Sequence, residues 1–218
     1  MITGKSTDGP ISKYLNRKIS SKITSFIVKH DIGISPNTVS VLSFMMGLAC
    51  LPLYVFKYIV PAGILVQVSS IIDGVDGELA RARGLSSSRG AFMDAMLDRY
   101  ADIAILIGLI ICIQDSLLNP VLLATAVMAL SGSLMVSYLH VRSTHDLNIH
   151  PSLVGVLDGI ASRDVRLFLI FIFSVLGLLV ELLIVLAVLT HVYVFVKSIA
   201  VVRHASKTAD ADGGDRDD

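Results

Sequence analysis

Residues 73–98 read DGVDGELARARGLSSSRGAFMDAMLD, with four aspartates in two pairs, Asp73 with Asp76 and Asp94 with Asp98. The pairs flank a break rich in Gly, Ser and Arg, and both lie within or beside stretches apolar enough for membrane helices. A carboxylate in a bilayer costs at least a few kcal/mol, so acids placed there mark a candidate functional site. Spacings of three and four put each pair on one helix face. If the Gly84–Arg89 break turns the chain back, the two faces meet. Converging carboxylates repel unless divalent cations neutralise them, and hard oxygen donors suit Mg²⁺ or Mn²⁺ rather than Zn²⁺. Two such ions about 3.5–4 Å apart form the clamp used in phosphoryl displacement. Gly77 and Ala80 share the Asp73/Asp76 face and Gly90 precedes Asp94 by one turn, leaving room for a ligand close to the backbone. Arg81 adds a cation suited to phosphate oxygens. The set describes a site for a diphosphate-bearing substrate. The same acids admit a second reading as intramembrane ion pairs, Asp98 or Asp102 with Arg99 or Arg81.

Working outward, the chain has 218 residues, is 54% hydrophobic, and carries 18 basic and 18 acidic residues. Apolar usage in soluble domains is roughly 45–50%, so an integral membrane protein is expected, with no nucleic-acid partner. Apolar runs cover 38–56, 59–80, 90–113, 120–142, 163–178 and about 181–202, each near the ~20 residues that a ~30 Å hydrocarbon core requires. Residues 10–30 precede them as a basic amphipathic helix. Ile11, Tyr14, Leu15, Ile19, Ile23, Phe26 and Ile27 recur at spacings of three and four, with lysines and Arg17 between. Such a helix suits the cytoplasmic interface beside anionic headgroups. The basic residues gather in that helix, at Arg81/Arg83/Arg89, in the 142–166 loop and at Lys197/Arg203/Lys207, while the opposite turns hold Lys57. The positive-inside rule then places both termini and the acids on the cytoplasmic side of a cell membrane. The expected fold is all-α, with six transmembrane helices (residues 36–204), a flexible segment 1–9, and a disordered acidic tail 205–218. No cleavable signal peptide is expected. Cys50 and Cys112 lie in apolar runs and read as small hydrophobes.

The acidic stretch resembles, position for position, the signature of the CDP-alcohol phosphotransferase (CDP-alcohol phosphatidyltransferase) family, D-x2-D-G-x2-A-R-x8-G-x3-D-x3-D. Asp73, Asp76, Gly77, Ala80, Arg81, Gly90, Asp94 and Asp98 occupy it. The resemblance implies a homodimeric membrane transferase with two Mg²⁺ or Mn²⁺ ions. An acceptor hydroxyl would attack the β-phosphorus of a CDP-alcohol, releasing CMP. It further implies that Asp73, Asp76, Asp94 and Asp98 bind metal, that Asp98 is the general base, and that Gly77, Ala80, Arg81 and Gly90 hold the CDP group.

Ser137-Tyr138-Leu139-His140-Val141-Arg142 resembles the family's Ser-Tyr-x-x-x-Arg segment. In inositol-phosphate-using members that Arg, a basic residue two before it and an Arg ending the last span hold the acceptor's phosphate. Here these are Arg142, His140 and Arg203, with Arg163 or Arg166 as a further cation; plain positive-inside anchoring explains Arg142 and Arg203 equally well. Asp164 suits capping of the helix that starts there. The amino-terminal run and SRDVR (162–166) are similar to the membrane half of bifunctional inositol-phosphate cytidylyltransferase/di-myo-inositol-phosphate phosphate synthases, implying CDP-inositol as donor and an inositol phosphate as acceptor. No nucleotidyltransferase domain precedes the segment, so a separate protein is expected to supply the donor. Transfer of a phosphatidyl or archaetidyl group to inositol phosphate, glycerol phosphate or serine is the alternative. An ion-coupled transporter is the reading from another class, disfavoured by the lack of an internal repeat.

Overall fold

The computed structural model of the protein describes residues 9–213, and the described residues form helices and no strand. A single π-type turn, Ser12–Asn16, leads into α1 (Arg17–Lys29). Six helices follow: α2 (Pro36–Val55), α3 (Ile59–Ala82), α4 (Ser88–Cys112), α5 (Pro120–Leu147), α6 (Arg163–Leu176) and α7 (Leu179–Gly213). Their ends follow local chemistry. Ser35 accepts from Thr38 N at 3.1 Å with Pro36 in the first turn, and Asn119 accepts from Val121 N at 2.9 Å before Pro120; both arrangements favour helix starts. Gly177 at φ 72 ends α6 in the left-handed conformation that costs glycine nothing.

Four helices are long and apolar enough to cross a membrane: α2, α3, α5 and α7 over Leu179–Thr208. The six expected spans differ from this count for two reasons. The first half of α4 is interrupted by Arg89, Asp94, Asp98, Arg99 and Asp102. Helix α6 has 14 residues, about 21 Å at 1.5 Å per residue. The last helix also runs beyond the expected start of the tail: α7 continues to Gly213, because Ala205–Ala211 contains no helix breaker. Residues 1–8 and 214–218, covering most of the predicted amino-terminal segment and the end of the tail, lie outside the described residues.

The core joins α2, α3, α4, α6 and α7 through Cys50, Tyr54, Val66, Leu109, Leu167, Leu182 and Leu186, all buried. Both cysteines are free and buried. Tyr54 Oη and Ser174 Oγ, 2.6 Å apart, tie α2 to α6 inside it. Glycine permits close helix approach where needed: a Cβ on Gly108 would stand 2.8 Å from Leu51 Cα, and one on Gly132 would collide with Thr190 Oγ1. Gly132 is thus occupied by α7 of its own chain. Helix α2 packs closely against both α3 and α4, α3 also packs on α6, α5 pairs with α7, and α4 touches α5 only briefly. That divergence opens the molecule.

Helix α1 docks on α3 through a largely polar face and leaves its apolar stripe outward. Its buried stripe is Asn16, Ser20, Thr24 and Ile27, whereas Tyr14 and Phe26 are 65% and 58% exposed. The reason is Glu78 of α3, a fully buried carboxylate. It accepts from Arg17 Nη1 (2.9 Å), Ser20 Oγ (2.7 Å) and Thr24 Oγ1 (3.0 Å). A buried charge persists only when paired and hydrogen-bonded, so the polar stripe turns inward and the apolar one outward.

Candidate functional site

Two consecutive helices bring the acids together. The α3–α4 turn reverses at Gly84, with φ +66, and Ser87 accepts from Gly90 N at 3.1 Å to start α4. One carboxylate oxygen from each of Asp73, Asp76 and Asp94 lies within 4.8 Å of the others. Asp76, 7% exposed, accepts from Ser40 Oγ and from Gly77 N. Asp98 stands beside this triad, its Oδ1 3.1 Å from Arg163 Nη1 and its Oδ2 3.7 Å from Arg99 Nη2.

Arg163 opens α6 inside the acidic cluster. Its Nη1 lies 2.8 Å from Asp73 Oδ2, and its Nε donates to Asp102 Oδ1 at 2.9 Å. Asp102 Oδ2 lies 3.3 Å from Arg166 Nη2 and 3.7 Å from Arg99 Nη2. The ion-pair reading of the acids holds at Asp98 and Asp102, each beside Arg99, and the triad offers oxygens that could hold a cation. Asp102 is a buried ion-pair centre that includes the expected Arg99 contact, while Asp73, Asp76 and Asp94 converge as an oxygen cluster. Arg81 takes no part in the pairs. Four buried side-chain atoms among the described residues have no hydrogen-bond partner: Gln67 Oε1, Asp73 Oδ1, Arg81 Nε and Arg99 Nε. Buried polar atoms are nearly always satisfied. An orphaned carboxylate oxygen within a cluster of hard donors fits a divalent cation, and an orphaned guanidinium N–H fits an anion.

Two cavities meet at the cluster. The smaller, about 300 Å³, is lined by Asp76, Gly77, Ala80, Arg81, Gly90 and Asp94, with Pro36, Asn37 and Ser40 of α2 opposite. All four residues expected to hold a CDP group thus line one space. The larger, about 780 Å³, is bounded by Asp73, Asp94 and Asp98, by Asn16 and Ser70 on the α1/α3 side, and by His140, Arg163 and Arg166 on the far side. Asp94 borders both.

The other candidates divide. His140 reaches the larger cavity, with Nε2 2.9 Å from Tyr193 Oη and its ring edge-on to His150 at 5.2 Å. His150 lies in the loop after α5, and burial holds its imidazole below the usual range. Arg142 is 54% exposed and pairs with Asp146 Oδ2 at 2.6 Å. Arg203 is exposed on α7, and neither arginine lines the larger cavity. Asp164, expected to cap α6, instead accepts from Ser12 N at 2.5 Å, anchoring the start of the amino-terminal helix. Lys197, read as a surface cation, is fully buried, with Nζ 2.8 Å from both Asp158 Oδ1 and Val154 O, and pins the loop before α6.

Sequence reasoning missed Glu78, Asn16, Tyr193 and His150 as part of this architecture. Glu78 had a signal, because the cost of an acid in an apolar helix applies to it as it does to the aspartates. The others carry none, since their elements are distant along the chain.

The family model for CDP-alcohol phosphatidyltransferase matches residues 33–202. A bifunctional IPC transferase and DIPP synthase of Aquifex aeolicus is 37% identical over 192 residues, which cover 86% of this chain and 42% of that protein. The chain spans less than half the length of the bifunctional relatives it matches. An archaetidylinositol phosphate synthase of Pyrococcus horikoshii is 33% identical over 147 residues, covering 66% of this chain and 71% of that one. Crystal structures of Mycobacterium tuberculosis phosphatidylinositol phosphate synthase superpose with a TM-score of 0.70 in the CDP-DAG-bound form (84% of this chain, 94% of that one) and 0.71 in the complex with manganese and citrate (84% and 88%). At 22% identity this likeness is one of fold.

Proposed function

The chain belongs to the CDP-alcohol phosphatidyltransferase family, and from that premise we propose that it transfers a substituted phosphate from a CDP-alcohol to an acceptor hydroxyl, releasing CMP. The observation that carries this reading is the convergence of Asp73, Asp76 and Asp94 where two cavities meet, the smaller lined by Gly77, Ala80, Arg81 and Gly90. Similarity to the bifunctional synthases supports CDP-inositol as donor and an inositol phosphate as acceptor. The alternative donor is a CDP-lipid, supported by the archaetidylinositol phosphate relative.

Asp73, Asp76 and Asp94 would hold Mg²⁺ or Mn²⁺, with Asp98 completing the set for a second ion. Bound there, divalent cations would neutralise the carboxylates and the charge on the diphosphate. The protein's own groups account for the rest. Gly77, Ala80 and Gly90 leave space for the nucleotide, and Arg81 points an unpartnered N–H at its phosphates. Asp98 accepts the proton of the acceptor hydroxyl as that oxygen attacks the β-phosphorus. The bond from the β-phosphorus to the oxygen bridging it to the CMP phosphate breaks, and CMP leaves while a phosphodiester forms. Arg163, with Arg166 behind it, supplies positive charge for the acceptor's phosphate, and His140 lines the same space. Arg99, Arg163 and Asp102 fix the Asp98 carboxylate from one side.

The basic bias along the chain supports six spans, counting α4 and α6, with both termini and the site on the cytoplasmic side of the bilayer. Assembly as a homodimer rests on the family resemblance. The decisive experiment incubates purified protein with Mg²⁺ or Mn²⁺, CDP-inositol, CDP-diacylglycerol or CDP-archaeol, and a panel of acceptors, identifying products by mass. Release of CMP with formation of a phosphodiester is expected; no release from any pair refutes the assignment.

A further inference from the structure

Resting on that reading, the structure assigns a place and a chemical class to the alcohol that the donor carries. On that reading the smaller cavity takes the nucleotide, and the diphosphate lies at the acid cluster where the two cavities meet at Asp94. The alcohol attached to the β-phosphate must therefore project into the larger cavity. Two polar walls face it there. Attack from the side opposite CMP brings the acceptor in beside Asp98, whose neighbours are Arg99 and Arg163. That leaves the α1/α3 wall to the donor, where Ser70 lies one turn before Asp73 on the same helix.

This wall is polar and incompletely bonded, and Arg17, which also lines it, is engaged by Glu78 at 2.9 Å. Gln67 Nε2 donates to Asn16 Oδ1 at 2.8 Å, and Asn16 Nδ2 donates to Ser70 Oγ at 3.1 Å. Asn16, Gln67 and Ser70 are only 2%, 8% and 7% exposed. The chain of donors runs one way. It leaves Gln67 Oε1 without a donor at one end, while Ser70 Oγ, accepting from Asn16 at the cavity end, keeps its own hydrogen to offer. Asn16 and Ser70 line the cavity with Gln67 behind them. The π-type turn Ser12–Asn16 ends on Asn16, and such turns recur at functional sites.

We propose that Asn16 and Ser70, oriented by Gln67, form a subsite for the hydroxyls of the transferred alcohol, which is therefore a polyol and not a lipid. A hydroxyl both accepts and donates, so it can take the Ser70 hydrogen and extend the network; an acyl chain offers neither and would leave these groups buried and unsatisfied. Gln67 acts here as a positioning residue.

The test measures CMP release by the full chain and by Ser70→Ala and Asn16→Ala, using CDP-inositol and CDP-diacylglycerol as donors at saturating metal and acceptor. CMP inhibition serves as the readout of the nucleotide half alone, and the thermal unfolding midpoint as the check on folding. Ser70→Ala removes one oxygen and keeps α1 docked through Glu78. The wild type is expected to use CDP-inositol in preference, and each variant to lose about tenfold in kcat/KM for it with CMP inhibition unchanged. Preference of the wild type for CDP-diacylglycerol overturns the polyol assignment while leaving the family reaction intact. An unchanged kcat/KM for CDP-inositol in both variants overturns the subsite, as does an equal loss for both donors. With CDP-archaeol added as a third donor, preference for it also overturns the polyol assignment alone, and absence of CMP release from all three by the wild type overturns both this inference and the reading beneath it.

Discussion

The two cavities that meet at Asp94 are built in opposite ways. The smaller draws its lining from two short stretches, Pro36–Ser40 and Asp76–Asp94. The larger takes residues from Gly9 to Arg166, on α1, α3, α4, α5, α6 and the loops between them. One is built on the α3–α4 hairpin with the start of α2 set against it, so spacing along the chain determines most of it. The other exists because α4 and α5 diverge and α1 and α6 close its sides. Groups that handle the part common to all donors can be written in one contiguous stretch, while selection of the variable partners falls to side chains that only the whole fold assembles.

Four substitutions can break or sharpen this contrast. The largest effect is expected at the junction: Asp98→Asn keeps the shape and removes the base, so CMP release should fall by about 10²–10⁴-fold. Inhibition by CMP should stay near the wild-type value, measured in the same assay. Glu78→Ala should act on the α1 wall. Removing a fully buried carboxylate with three donors takes the acceptor from Ser20 and Thr24 and the ion pair from Arg17, a loss of about 3–5 kcal/mol visible as a lower thermal unfolding midpoint. Gly90→Val should affect the smaller cavity alone. Its Cβ would stand 3.2 Å from Ser87 Oγ and 3.6 Å from Asn37 Oδ1, and the two methyls beyond it enter the nucleotide space. The donor KM should rise about tenfold or more, with the acceptor KM little changed. Arg142→Gln should do least, because its exposed pairing with Asp146 is worth at most about 1 kcal/mol. Its acceptor KM should stay within about twofold of wild type; a rise comparable to that of Arg163→Gln would return Arg142 to the acceptor site.

The contrast also explains which expectations met the structure and which did not. The hairpin spacing placed Asp73, Asp76 and Asp94 together, and the small residues beside them line the smaller cavity. Positive charge near a membrane surface was a weaker guide. It did not separate Arg163, inserted among the acids, from Arg142 and Arg203 on the surface, nor did it mark Lys197 as buried. Charge type and chain position are alike for all four, and only packing distinguishes them. Periodicity marked the apolar stripe of α1 for a membrane interface but did not say which face meets α3; a buried acid on that helix decides it.

Sequence by itself determined an all-helical chain with membrane-spanning segments, a metal-competent acid cluster and a nucleotide-sized recess, because helix periodicity converts fixed spacing into shared faces. The tertiary structure alone decided that Asp102 is an ion-pair centre, that Glu78 draws α1 onto α3, and that Asn16 and Ser70 face the same cavity as His140 and Arg163. Those outcomes depend on which helices touch, and the chain expresses that through packing between positions too far apart for any local pattern to register.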